Sequence, residues 1–252
     1  MFKIYKNKII SSDWHLLHPN IFIYEYEKRK ILLKPFVTNE IFNKLEKLYL
    51  DFDLKTNDEK NIVYKEAKLI LFWGRTKEEK NTFLVNTNYF MLSSFLEELK
   101  KVDFSLINEY LNLWDFLFEV WNDKINFLLN SRLKTKLYEI HDLLKQKNIK
   151  RILILWNHDH ESLTKESIKN FYESLFDEIS LKKQEDSEIF IHHPIGCSKS
   201  PYPPRGTFLN LDQELILNKE IRICHHWHIH SSKLEGNLKG IQYINYSLDE
   251  FI

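Results

Sequence analysis

The sequence has little glycine and little cysteine. Five glycines occur in 252 residues, about 2% of the chain, whereas ordinary proteins contain about 7%. The two cysteines, Cys197 and Cys224, are too few for a disulfide-stapled scaffold. The chain opens Met-Phe-Lys-Ile-Tyr without the apolar segment of a signal peptide, so we expect a cytoplasmic protein without disulfides.

Net charge and long apolar runs are also lacking. Lys and Arg number 36, as do Asp and Glu, which leaves a formal charge of zero. This balance excludes a global basic field for nucleic acid, so a nucleic-acid substrate would have to be held by a local groove. No run approaches the roughly 18 apolar residues of a membrane span. The length predicts a single domain spanning residues 1–252, with room for an insertion.

Histidine is abundant and clustered. Of eleven histidines, all but His141 fall within residues 15–18, 158–160, 192–193 and 225–230. Each cluster follows an apolar stretch that predicts a strand, and the clearest is Ile152 to Leu155, which runs into Asn157-His158-Asp159-His160. One such stretch alone could be a strand that ends in a polar loop. Four of them indicate a metal site.

The remaining periodicity places helices and further strands. Residues 22–105 favour a largely helical insertion or cap, with helices over Glu40–Leu50 and Phe90–Leu99 and a loop at Asn57–Asn61. Helices are also predicted over Lys124–Asn148 and from Ser162 to Phe176. Strands are predicted at Lys3–Ile10, Ile107–Leu113, Ile189–Pro194, the stretch starting at Ile221, and a closing pair over Leu238–Tyr246. The stretch Lys147–Arg151 is expected to be basic and solvated.

The candidate ligands outnumber the positions around one ion. Two aspartates, one asparagine and up to six histidines follow predicted strands, whereas one cation takes four to six donors. Two cations about 3.5–4 Å apart that share a bridging carboxylate would account for all of these ligands. Such a pair binds both the attacking and the leaving oxygen of a phosphoryl displacement. The composition of the site therefore predicts phosphoester hydrolysis.

The order of these motifs resembles that of a known family. Asp13-x-His15, an Asp after a strand at Asp115, Asn157-His158-Asp159, His192 before a proline loop, and His228-x-His230 follow one another along the chain. The order is similar to that of the metallophosphoesterase (calcineurin-like phosphoesterase) superfamily, small phage and bacterial type. The resemblance implies an α/β fold, a four-layer α/β/β/α sandwich of two mixed β-sheets flanked by helices.

The resemblance also implies a role for each motif residue. Asp13, His15 and His230 would hold the first metal, Asp115 would bridge, and Asn157, His192 and His228 would hold the second. His193 is the alternative to His192, whereas His225 and His226 are expected to be strand-end bystanders. His158 would contact the phosphate and protonate the leaving oxygen, with Asp159 orienting it. Two divalent cations are implied, manganese first, with iron, zinc or nickel as alternatives.

Three positions depart from the family pattern. Glycine precedes the bridging Asp, the Asn and the final His-x-His in the family, but Trp114, Trp156 and Trp227 stand there in this chain. Either these are true tryptophans and the site is reshaped or inactive, or UGA codons that the source reads as glycine were translated as tryptophan. The shortage of glycine favours the second interpretation, which also extends to Trp73 and Trp121. UGG codons at 114, 156 and 227 would exclude it.

Three functions remain open at this point. The first is a cytoplasmic phosphoesterase that hydrolyses a phosphomonoester or phosphodiester, of a small molecule or a nucleotide, through a hydroxide activated by two metals. The second is a catalytically inactive relative that acts as a binding or interaction protein. The third and weaker alternative is a nuclease, for which Lys199, Arg205 and the lysines of the predicted insertion are the candidate basic residues. The sequence leaves the oligomeric state open.

Overall fold

The structure is a computed structural model of α/β class. It describes residues 2–11, 14, 16–17, 21–24, 26–52, 57–113, 128, 130–155, 166–191, 220–226, 236–238 and 240–245. Two mixed β-sheets and a set of helices make up these residues. The predicted α/β class is therefore confirmed.

The first sheet has the strand order β1-β2-β3-β4-β5. Its strands are β1 (Phe2–Tyr5), β2 (Lys8–Ser11), β3 (Glu109–Leu113), β4 (Lys150–Ile154) and β5 (Glu178–Ser180). β1 is antiparallel to β2, and β2 to β5 are parallel. In β4 the four residues after Lys150 are all buried, as expected of a parallel strand covered on both faces.

Two predictions about this sheet are wrong. Lys3–Ile10 is not one strand, because the chain reverses at Lys6 and Asn7, with Lys6 at φ 51°. Arg151 is not solvated either. It is 8% exposed, and its Nε donates to the Asp177 carboxylate at 2.9 Å. This charge-assisted hydrogen bond stabilises the buried guanidinium.

The second sheet has the order β6-β7-β8-β10-β9. Its strands are β6 (Lys182–Glu185), β7 (Glu188–Ile191), β8 (Ile223–His226), β9 (Gly236–Leu238) and β10 (Ile241–Asn245). β7, β8 and β10 are parallel, and an antiparallel strand lies at each edge. Gly240 takes φ 81° between β9 and β10, a conformation that suits glycine. The predicted closing pair of strands is confirmed.

Helices occupy most of the chain between β2 and β3, as predicted. They are α1 (Ile21–Tyr24), α2 (Tyr26–Leu33), α3 (Asn39–Leu50), α4 (Asn57–Phe72) and α5 (Lys77–Lys100), with short 3-10 turns at Lys34–Phe36 and Phe104–Leu106. The predicted loop at Asn57–Asn61 is wrong, because α4 begins there. Asp58 and Glu59 lie in its first turn, where acidic side chains favour a helix start rather than a loop.

Two helices flank the later strands. α6 (Arg132–Gln146) lies within the predicted helix Lys124–Asn148, and α7 (Glu166–Leu175) lies within the predicted helix that ends at Phe176. Arg132 on α6 donates to Asn86 Oδ1 on α5 at 2.7 Å. The helices between β2 and β3 share one buried core with the first sheet. That residues 22–105 are an insertion into the domain stays a prediction.

The first sheet lies between helices and the second sheet. On one face the Tyr110 ring contacts Phe95 of α5 and His141 of α6, at centroid distances of 6.4 and 6.0 Å. On the other face Lys8 Nζ lies 2.9 Å from Glu109 and 2.8 Å from Glu185 of β6. The first residues of β2 and β3 therefore lie beside the β6–β7 hairpin.

Further contacts join the two sheets at the same end. Lys6 forms a 2.6 Å ion pair with Glu188, the first residue of β7. The Tyr5 ring lies 4.6 Å from that of His225 in β8. Among the described residues, no helix combines the length and apolar character that crossing a bilayer requires.

Candidate metal centre

Every residue that the sequence assigns to the metal site lies outside the described residues. The structure neither brings these side chains together nor separates them. They are Asp13, His15, Asp115, Asn157, His158, Asp159, His192, His228 and His230. The structure describes the strands that precede them.

Five strands end shortly before the five motifs. β2 ends at Ser11, two residues before Asp13, and β3 ends at Leu113, two residues before Asp115. β4 ends three residues before Asn157, β7 ends directly before His192, and β8 ends two residues before His228. The prediction that these motifs follow strands therefore agrees with the described strand bounds.

The strand ends lie level within each sheet. In the first sheet Ser11 is paired with Asn112, and Leu113 with Ile154. In the second sheet Phe190 of β7 is paired with His225 of β8. Because these neighbouring strands run parallel, β2, β3 and β4 end at one edge of the first sheet, and β7 and β8 end at one edge of the second sheet.

A buried polar cluster lies at the ends of β2 and β3. Ser11 Oγ and Tyr110 Oη are 2.8 Å apart, and Asn112 Nδ2 donates to Tyr110 Oη at 3.1 Å. All three residues are at most 1% exposed. Burial raises the pKa of Tyr110 well above its ordinary value, so the phenol stays protonated. The sequence analysis missed this cluster, although the alternation Tyr-x-Asn inside an apolar strand was a signal for it.

His225 and His226 lie inside β8 rather than beyond it. The His225 ring is stacked on Phe190 at 4.2 Å, and its Nε2 is 3.4 Å from Glu188. Burial lowers the pKa of His225 to about 4, although Glu188 opposes the shift. The His226 ring makes an edge contact with Tyr243 at 5.9 Å. Both side chains therefore belong to the packing of the second sheet.

A metal-ligand cluster is not complete within the described chain. In that part no group of three or more His, Cys, Asp or Glu side chains could hold a metal ion. A cleft of about 600 Å³ lies instead among the helices, where Arg75 stacks on Phe83 at 4.9 Å and Thr76 and Glu79 cap the start of α5.

Comparisons of the chain with protein-family models, with curated proteins and with solved structures each give no match.

Proposed function

We propose that the chain is a metal-dependent phosphoesterase that hydrolyses a phosphomonoester or phosphodiester at a centre of two divalent cations. One observation carries the proposal. Five parallel strands, three in one sheet and two in the other, end one to three residues before the five motifs of the sequence. Open α/β sheets bind their ligands beyond the carboxyl ends of parallel strands, so this is where chemistry is expected.

The reach of the chain supports convergence of the two aspartates. Consecutive Cα atoms are about 3.8 Å apart, so residues two positions beyond Ser11 and Leu113 lie within about 8 Å of those strand ends. β2 and β3 are adjacent, with a separation of about 4.8 Å. Carboxylates at 13 and 115 can therefore meet within the space that two cations and a bridging ligand need.

Contacts between the sheets support the same geometry for the histidines. The first residues of β2 and β3 are joined by the Lys8–Glu109 ion pair, and the β6–β7 hairpin lies beside them through the Lys8–Glu185 and Lys6–Glu188 ion pairs. With their starts together, aligned packing of the two sheets would direct their carboxyl ends to one side. His192, His228 and His230 would then approach the site from the second sheet.

The donor set fits two divalent cations. Asp13, His15 and His230 would hold one, Asn157, His192 and His228 the other, and Asp115 would bridge them, because carboxylate and imidazole suit manganese, iron, zinc and nickel. Such a pair supplies a hydroxide nucleophile near neutral pH and neutralises phosphate charge. His158 would donate a proton to the leaving oxygen, and Asp159 would hold its ring.

The finer architecture belongs to the same proposal. The contacts described above give helices, first sheet and second sheet in that order. A four-layer α/β/β/α sandwich adds helices on the outer face of the second sheet. A cytoplasmic location and a phosphoester of a small molecule or nucleotide as substrate are also part of the proposal.

An inactive relative is the second candidate, and the three tryptophans favour it. Trp114, Trp156 and Trp227 stand directly before predicted ligands, where a bulky side chain costs about 1–2 kcal/mol in a left-handed turn and fills space near the substrate. Such a protein would bind metal or a phosphorylated ligand without turnover. A nuclease is the weaker candidate, because the chain has no net positive charge to attract nucleic acid and only local basic residues such as Lys199 and Arg205 could bind it.

Hydrolysis of 4-nitrophenyl phosphate and bis(4-nitrophenyl) phosphate with Mn²⁺ tests the proposal. Two forms are assayed, the printed sequence and a variant with glycine at 114, 156 and 227. We expect turnover that a chelator abolishes, and a loss of roughly 100-fold or more in Asp115→Asn, since the bridging carboxylate organises the metal pair. Asp103→Asn is the matched control, because Asp103 is a helix cap to Ser105 N and Asn caps equally well.

The result that contradicts the proposal is the absence of turnover from both forms. If both then still bind Mn²⁺, the inactive relative replaces the phosphoesterase.

A further inference from the structure

Three buried polar side chains join the ends of β2 and β3. The Tyr110 hydroxyl contacts Ser11 Oγ at 2.8 Å and accepts from Asn112 Nδ2 at 3.1 Å. Asn112 Oδ1 is also buried and has no hydrogen-bond partner in the part of the chain that the structure describes. Ser11 is the last residue of β2, and Asn112 is the last but one of β3.

Apolar residues would pack these positions at lower cost. The neighbouring positions on these strands, Ile9, Ile10, Leu111 and Leu113, are apolar and at most 1% exposed. An unpaired buried amide oxygen costs free energy that an apolar side chain of similar shape would not. The cluster therefore contributes something other than stability, and specification of strand pairing is the best-attested use of such groups.

The apolar pattern fixes the pairing of β2 and β3 only in part. A shift by one residue would turn every side chain to the opposite face, but a shift by two would return each side chain to its own face. Such a shift moves one strand by about 6.6 Å along the other, more than the 3.5–4 Å between two catalytic metals. The pairing of Ser11 with Asn112, joined through the Tyr110 hydroxyl, opposes this shift at the carboxyl ends.

We propose that Ser11, Tyr110 and Asn112 are positioning residues that hold the ends of β2 and β3 in register, so that Asp13 and Asp115 meet the same pair of cations. The inference rests on the proposed metal centre. It assigns to the cluster a role in metal affinity that is separate from its role in stability. The Lys8–Glu109 ion pair at the other end of the same strands keeps the sheet paired when the cluster is altered.

The test compares three variants of the full chain. Tyr110→Phe removes the central hydroxyl, and Asn112→Val removes the unpaired oxygen together with the amide. Tyr26→Phe is the matched control, because Tyr26 is 2% exposed and loses a 2.9 Å hydrogen bond to Glu46 among the helices. Calorimetric titration with MnCl2 gives the metal affinity, and urea unfolding with a chelator gives the stability of the metal-free chain.

We expect the variants of the cluster to lower the affinity for Mn²⁺ without a matching loss of stability. The Mn²⁺ dissociation constant should rise about tenfold or more in Tyr110→Phe and Asn112→Val, as loss of support around metal ligands typically does. It should stay within about twofold in Tyr26→Phe. Asn112→Val should keep the urea midpoint or raise it, since it removes an unpaired buried oxygen.

Two results would overturn the inference. If Tyr110→Phe and Asn112→Val bind Mn²⁺ as the unaltered chain does, the cluster has no positioning role while the metal centre stands. If Tyr26→Phe lowers the affinity equally, the effect is a general loss of stability. An unaltered chain that binds no Mn²⁺ removes the metal centre and the positioning role together.

Discussion

His141 is a buried histidine held neutral by its surroundings. It is 1% exposed, and its ring lies 4.7 Å from that of Phe176. Burial lowers its pKa to about 3, and the nearby charge of Arg151 adds to the shift. Its burial could not be predicted from the sequence, because helical periodicity shows which face a residue occupies but not how completely a neighbouring element covers it.

The low pKa of His141 predicts acid sensitivity. The unfolded chain takes up this proton below its ordinary pKa of 6.5, whereas the folded chain does so near 3. The contribution to stability is therefore fully present above pH 6.5 and is lost as the pH falls towards 3. At pH 5 the loss should be about 2 kcal/mol.

Urea unfolding of the metal-free chain at pH 7 and pH 5 measures this loss. His141→Leu should lose about 2 kcal/mol less than the unaltered chain between the two pH values. The carboxylates titrate in both proteins, so their contribution cancels in the comparison. An identical pH dependence in the two proteins would show that His141 is not the acid-sensitive group.

Two tryptophans show why single residues are hard to interpret from sequence. Trp14 is 2% exposed and packs edge-on against Phe95 at 5.0 Å, whereas Trp73 is 81% exposed beside Gly74, which takes φ 74°. Trp14 is thus a core residue. Trp73 contributes little to the core, as expected if it stands in place of glycine at a helix end.

At the scale of elements, buried strands and amphipathic helices were predictable because their patterns are local. β3, β4, α3 and α6 each lie within or close to their predicted bounds. The β1–β2 turn was missed because neither of its residues, Lys6 and Asn7, is a glycine or a proline, although Lys6 takes a positive φ. β5 and β6 were also missed, since three or four residues with polar side chains do not show a period.

The ion pairs between the sheets could not be predicted, because they depend on distant partners. Lys8 is 4% exposed and bonds Glu109 and Glu185, and Lys183 contacts the same two carboxylates. Burial alone would raise the pKa of Glu109, but the bonds from Lys183 and Lys8 lower it. Four alternating charges thus join β2 and β3 to β6.

Removing Lys8 should destabilise the fold far more than removing a surface lysine. Lys8→Met leaves the largely buried Glu109 carboxylate with one cation instead of two, which should cost roughly 3 kcal/mol. Lys44→Met is the matched control, because its ion pair with Glu40 is exposed to solvent and should contribute little to stability. Urea unfolding measures both, and equal losses would show that the network does not hold the sheets together.

At the scale of the whole molecule, the sequence predicted the α/β class but not the order of the strands. β10 lies between β8 and β9, an arrangement that depends on long-range pairing and leaves no local signal. The site was predicted from residue types that follow predicted strands, and the described strands end one to three residues before those residues. The buried Ser11–Tyr110–Asn112 cluster was missed, because only the paired strands bring its members together.

The proposed function requires two metal ions at the ends of these strands. The measurement that tests it most directly is an anomalous-scattering map from crystals of the chain grown with Mn²⁺. We expect two peaks about 3.5–4 Å apart, beyond Ser11, Leu113 and Ile154 and within bonding distance of Asp115. A map with no peak at these strand ends, or with Asp13, Asp115 and His228 far from any common ion, would contradict it.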